Sequence, residues 1–183
     1  VTAGLLIWLY VRRRSKYRAM RNLLGLTTAL ALIGYFSFPL APPRLYKCNN
    51  NIPVPTKGGY VIGRCFVDTL DKVGGLWSYH SPVAKAVANQ YAAMPSLHCG
   101  WATWCALVGW RLTRRRWLRT LFVIYPFLTL FCIIVTGNHY WIDGLGGLVT
   151  LGVAFMLGNW IHRWNQARLD RKFAVAKYGH PAG

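Results

Sequence analysis

Apolar and polar positions alternate along this chain in blocks rather than with the period of a soluble helix or strand. An apolar run from Val1 to Val11 gives way to basic residues. Further apolar runs follow, from about Asn22 to Leu40, Leu97 to Trp110, Trp117 to Thr136 and Tyr140 to Ile161. Runs near twenty residues are what an α-helix needs to cross a hydrocarbon layer. The chain is therefore expected to be all-α, a polytopic transmembrane bundle with five spans visible. The opening run, Val1 to Val11, is too short to cross. It is expected to be the truncated end of a first span, with six spans in the full protein. The span at Leu97 is short and is extended outward by Met94-Pro95-Ser96, and Pro126 predicts a kink in the next.

Composition agrees with that pattern. Of 183 residues, 54% are hydrophobic and 15% aromatic, too apolar for an ordinary soluble core. The net charge of +18 comes from 22 Lys and Arg against 4 acids. These cations stand in short connections, which argues against a nucleic-acid surface and for topology signals. Arg12 to Arg21, Arg111 to Arg119 and Arg163 to Lys177 fall on one side if the spans alternate. That side is expected to be cytoplasmic. The domain layout is then a transmembrane domain over 1–163, including an extracytoplasmic connection over 41–96, and a basic tail over 164–183 that can touch anionic headgroups.

The long connection carries its own pattern. Ile62, Phe66, Val67, Leu70 and Val73 have helical spacing, and Ser81-Pro82 opens a second short helix over 82–90. Both are expected to lie on the membrane surface, with Trp77 and Tyr79 at the interface, and to roof a site. Cys48 and Cys65 share this connection, where an oxidising exterior permits a disulfide. Cys99, Cys105 and Cys132 fall in spans and read as buried thiols.

Against this apolar background one carboxylate stands out. Asp143 opens a membrane-spanning run, where a charge costs about 2.5–3.5 kcal/mol on insertion scales. His139 lies four positions earlier, on the same helix face. A carboxylate that fixes an imidazole tautomer makes a base or a nucleophile. Two further outer-side segments carry polar groups, Ala41-Pro42-Pro43-Arg44 and Met94-Pro95-Ser96-Leu97-His98. Small residues at 102, 105, 106 and 109, and at 146, 150, 154 and 158, let helices approach closely and predict that both histidines point into the bundle. Three other readings stay open on the residues alone. His139 and Asp143 can be a structural pair, the two histidines and Asp143 can be metal ligands, and Arg44 can snorkel to headgroups.

Taken in order, these segments resemble the phosphatidic acid phosphatase type 2 superfamily, and in particular its inositol phosphorylceramide synthase-like branch, over roughly residues 20–160. Pro95-Ser96-Leu97-His98 stands at one motif, Gly137-Asn138-His139-Tyr140-Trp141-Ile142-Asp143 at another, and Ala41-Pro42-Pro43-Arg44 near the basic first motif. The resemblance implies an enzyme that needs no metal or cofactor. His139 would attack phosphorus, Asp143 would orient it, and His98 would act as acid and base. Arg44 and Ser96 would bind the phosphate. Its partners would be the bilayer and a lipid phosphate or phosphodiester, its place a bacterial plasma membrane with the site extracytoplasmic. Two positions depart from the superfamily pattern, Ile133 in place of an arginine and Ser37 in place of a lysine. Lys47, Lys57, Arg64 and Lys85 are candidates to replace those charges. The alternative to an enzyme is a non-catalytic lipid-binding or assembly protein with the same fold.

Overall fold

A computed structural model describes residues 1–43, 54–56, 59–61 and 93–178. Among the described residues there are five helices: α1 (Thr2–Arg12), α2 (Arg14–Ser37), α3 (Leu97–Leu112), α4 (Arg116–Val135) and α5 (Trp141–Tyr178). Three of these, α2, α4 and α5, are long and apolar enough to cross a membrane. The fold is the expected all-helical transmembrane bundle. One short antiparallel strand pair, β1 (Val54–Thr56) and β2 (Gly59–Val61), joins Val54 to Val61 and Thr56 to Gly59. The β-branched Val54, Thr56 and Val61 suit it, and the sequence pattern did not foretell it. The two surface helices expected at 62–73 and 82–90 lie outside the described residues.

Helix ends depart from the apolar runs at two places. Helix α2 begins at Arg14, so most of the basic stretch after α1 is helical. Helix α5 continues past Ile161 to Tyr178 through the basic segment. A helix satisfies its own backbone whether it lies in lipid or water. The boundary of an apolar run therefore marks the membrane edge rather than the helix end. Between α1 and α2 the break is a single residue, Arg13, at φ −144° and ψ 53°. Arg119 closes the α3–α4 turn: its Nε donates to the Thr113 carbonyl at 2.8 Å, and its guanidinium sits 5.2 Å from the Trp110 ring centre.

The distribution of side-chain size is that of a membrane protein. Large apolar groups point outward, among them Phe36, Phe127, Phe131 and Met156, where lipid tails solvate them as well as a core would. The interior is narrower and more polar. Trp104 is fully buried beside Leu9, Leu24, Cys105, Val108 and Leu151. Its indole N–H donates to the Met20 carbonyl at 3.1 Å and so ties α3 to α2.

Helix α3 crosses α5 through glycines. A Cβ on Gly100 would lie 3.3 Å from the Gly147 carbonyl oxygen, and a Cβ on Gly147 would collide with the Ser96 carbonyl. Pro95 is gripped on both sides: a Cβ at Gly34 of α2 would lie 2.7 Å from its Cδ, and one at Gly146 of α5 3.4 Å from its Cβ. Close approach thus centres on Gly100, Gly147 and Pro95. The stripe expected along α3 serves other contacts: Ala102 and Cys105 are buried, and Gly109 receives the Phe122 ring of α4. Cys99 and Cys105 are buried thiols as expected, but Cys132 is exposed, because it faces away from the bundle on α4.

Candidate active site

The site is assembled by the end of α4, the start of α5 and the start of α3. Helix α4 stops in a turn that needs a left-handed residue, and Gly137 supplies it at φ 66°. Gly137 N–H donates to the Ile134 carbonyl at 2.9 Å and Asn138 N–H to the Ile133 carbonyl at 3.0 Å. This is the Schellman pattern of helix termination. His139 N–H also reaches the Ile133 carbonyl, at 3.2 Å. The backbone that carries the histidine is therefore fixed to the last turn of α4.

Two residues later α5 begins, and Asp143 occupies its third position. Asp143 Oδ2 accepts the Tyr140 backbone N–H at 2.8 Å, the back-reaching half of a capping box. The helix N-terminus also favours the negative charge. The same oxygen lies 3.4 Å from His139 Nδ1. Asp143 is completely buried and His139 is 5% exposed. The expense of a carboxylate in an apolar layer is offset by a backbone donor, a helix terminus and an imidazole. Among the described residues, Oδ1 of this carboxylate is buried with no hydrogen-bond partner.

Helix α3 brings the second histidine. Ser96 is its N-cap, fully buried, and its Oγ accepts the Cys99 N–H at 3.5 Å. Ser96 N–H donates to the Asp143 carbonyl at 2.9 Å. This backbone bond sets the two motifs against each other, and the Gly100–Gly147 crossing below it leaves little freedom to slide. His98 follows in the first turn. Its Nδ1 lies 3.3 Å from His139 Nε2, with the rings edge to face at 67°. With a proton on His139 Nδ1 toward Asp143, Nε2 keeps its lone pair, and His98 Nδ1 is the donor between the rings.

The resulting order is Asp143, His139, His98, running from the closed interior to the open side. The expectation that both histidines point inward holds for His139. His98 is exposed, because the first turn of α3 stands at the rim of the bundle. Tyr35, near the end of α2, was not singled out from sequence. Its hydroxyl lies close to the Leu97 backbone and to Asp143. A tyrosine at the end of a span reads as an interfacial anchor, and only the tertiary contact marks it as part of the site.

Other expected residues fare differently. Arg44, Cys48 and Cys65 lie outside the described residues, as do Lys47, Lys57, Arg64 and Lys85. The Ser96 hydroxyl caps α3 by accepting the Cys99 N–H, which leaves its own O–H able to donate to a phosphate. Ser37 Oγ donates back to the Ile33 carbonyl at 2.9 Å. Ile133 is buried, and it is its carbonyl, not its side chain, that serves the site.

Buried polar groups chained from one helix terminus to the next, in a bundle that turns its large side chains to lipid, define a polytopic membrane protein with a His–His–Asp cluster. A family model described as the PAP2 superfamily matches residues 1–157, and the chain belongs to that superfamily. Membership supports an enzyme of the phosphatase type acting on lipid phosphates in general. No curated protein matches the chain, and no solved structure does.

Proposed function

We propose that this protein transfers a phosphoryl group from a lipid phosphate or phosphodiester through a phosphohistidine on His139, at the extracytoplasmic face of a bacterial plasma membrane. The observation that carries the reading is the linear order Asp143–His139–His98, with contacts of 3.4 Å and 3.3 Å. His139 Nε2 attacks phosphorus as the bond to the leaving alkoxide oxygen breaks. His98 gives that oxygen a proton. Water or an alcohol then returns a proton to His98 as its oxygen attacks phosphorus and the P–N bond breaks. Asp143 holds the imidazolium that forms in between.

The histidines touch too closely to admit phosphorus between them. A reacting nitrogen and phosphorus meet at about 3–3.5 Å, and the acid needs its own reach of about 2.6–3.2 Å beyond. The pair must therefore open on binding, and the exposed His98 is the member free to turn. The chain-like order also favours proton relay over a metal site, since the three side chains do not converge on one point. Ile133 and Ser37, which replace superfamily cations, support the inositol phosphorylceramide synthase-like branch. Arg44 is proposed to meet the phosphoryl oxygens. The basic helix starts and connections support the orientation.

The test is turnover of a panel of lipid phosphates by purified protein in EDTA, followed by acid-labile phosphate on the chain. Wild type is expected to turn over in EDTA. His98→Ala is expected to slow both the formation and the breakdown of phosphoprotein, since it acts in both steps, and His139→Ala to form none. Zinc-dependent turnover would replace this reading with a metal-dependent hydrolase. Neither turnover nor phosphoprotein from any lipid would leave the non-catalytic alternative.

A further inference from the structure

The end of the bundle opposite the histidines carries a second concentration of chemistry. A cleft of about 560 Å³ lies where α1 gives way to α2, lined by Tyr10, Arg14, Ser15, Tyr17, Arg18 and Arg21. Positions 14, 17, 18 and 21 fall on one face of α2. Three guanidiniums thus share one wall. Arg14 lies 5.0 Å from the Tyr10 ring centre and Arg21 5.5 Å from that of Tyr17, and the two rings meet edge to face at 5.3 Å.

Like charges at this spacing repel, and among the described residues no carboxylate answers them. The described residues contain two acids, Asp143 and Asp170, and neither pairs with these arginines. Arg21 donates to the neighbouring Asn22 side chain, which carries no charge. The aromatic rings hold the Arg14 and Arg21 guanidiniums in place without neutralising them. The cleft therefore has the makings of an anion site with its counter-charge missing from the described residues.

Its position identifies the anion. Immediately after Arg21 and Asn22, α2 becomes apolar at Leu23. On α1, Ile7 and Val11 are exposed at 65% and 66%. The arginines thus stand at headgroup level with lipid-facing apolar surface beside them. Arg18 precedes Gly34, where α2 grips Pro95, by sixteen residues, about 24 Å along the helix. The cleft is therefore separate from the histidine site. We propose that it binds the anionic phosphate headgroup of a membrane phospholipid, with the guanidiniums as forks on the phosphate oxygens. The proposal does not depend on the catalytic reading.

Native mass spectrometry of the purified full chain, with phosphatidylglycerol and phosphatidylcholine at equal concentration, tests it. Wild type is expected to retain phosphatidylglycerol preferentially. The triple variant Arg14→Gln, Arg18→Gln, Arg21→Gln should lose about a hundredfold in that retention, at roughly fivefold per arginine. The triple variant Arg114→Gln, Arg115→Gln, Arg116→Gln removes the same charge elsewhere and should retain the lipid. Equal loss in both triples, or no preference in wild type, overturns the site in favour of diffuse attraction. Displacement of the lipid by millimolar inorganic phosphate overturns the lipid occupant in favour of a soluble anion. If the first triple loses its helical circular dichroism, Arg14→Lys, Arg18→Lys, Arg21→Lys keeps the charge and removes the forks. Weaker retention by that variant supports the site, and unchanged retention overturns it.

Discussion

Ser96 and Asp143 are joined through their backbones: the Ser96 N–H donates to the Asp143 carbonyl at 2.9 Å. The bond makes the start of α3 and the first turn of α5 one unit. Whatever moves one of the two histidines' supports moves the other.

The packing below that bond leads to a first prediction. Gly147→Ala would press a methyl group into the Ser96 carbonyl, whereas Gly152 has nothing within 4 Å of an added Cβ. Overpacking of this kind costs about 1–3 kcal/mol. Gly147→Ala should lower both thermal stability and turnover, and Gly152→Ala neither. Equal behaviour of the two variants in a detergent-based unfolding assay would sink the account of the crossing.

Asp143→Asn is predicted to keep the fold, because the amide oxygen can still accept the Tyr140 N–H. It cannot stabilise an imidazolium. Turnover should fall by about 10⁴, the scale seen when a triad carboxylate becomes an amide, with little change in KM. A loss confined to KM would argue that Asp143 only shapes the pocket.

Gly137→Ala places a side chain on a residue at φ 66°. The expected cost is about 1 kcal/mol of stability. Because Asn138 and His139 hang from the same turn, turnover should fall further than stability alone accounts for. Unfolding and kinetics measured on one preparation check this.

Tyr35→Phe removes only the hydroxyl that approaches the Leu97 backbone. A hydrogen bond there contributes about 0.5–1.5 kcal/mol, so kcat should fall by up to about tenfold. Tyr35→Ala should be worse. An unchanged kcat in Tyr35→Phe would reduce Tyr35 to an interfacial anchor.

What the sequence made legible was whatever its periodicity or a lone charge forced. Asp143 had to be explained in an apolar run, and its i, i+4 histidine was readable because helix geometry fixes that spacing. The helical basic stretch at Arg14 and the continuation of α5 to Tyr178 were hidden, because hydropathy reports the lipid boundary while hydrogen bonding sets the helix end. The roles of Ser96 and Ile133 were hidden for a different reason. Each serves the site through its backbone or as a cap, and a residue's letter says nothing of where its carbonyl points. Tyr35 entered only through packing of α2 on α3. Arg44, read from sequence as a phosphate ligand, lies outside the described residues and rests on its motif.

Helix α5 has 38 residues, hence a length of about 57 Å, against a hydrocarbon layer of about 30 Å. Asp143 occupies its first turn, locked to its own backbone at Tyr140. Mechanically, the site carboxylate is the tip of a rod longer than that layer is thick. A torque applied to its basic far end would arrive at Asp143 as rigid rotation, with no loop between to absorb it.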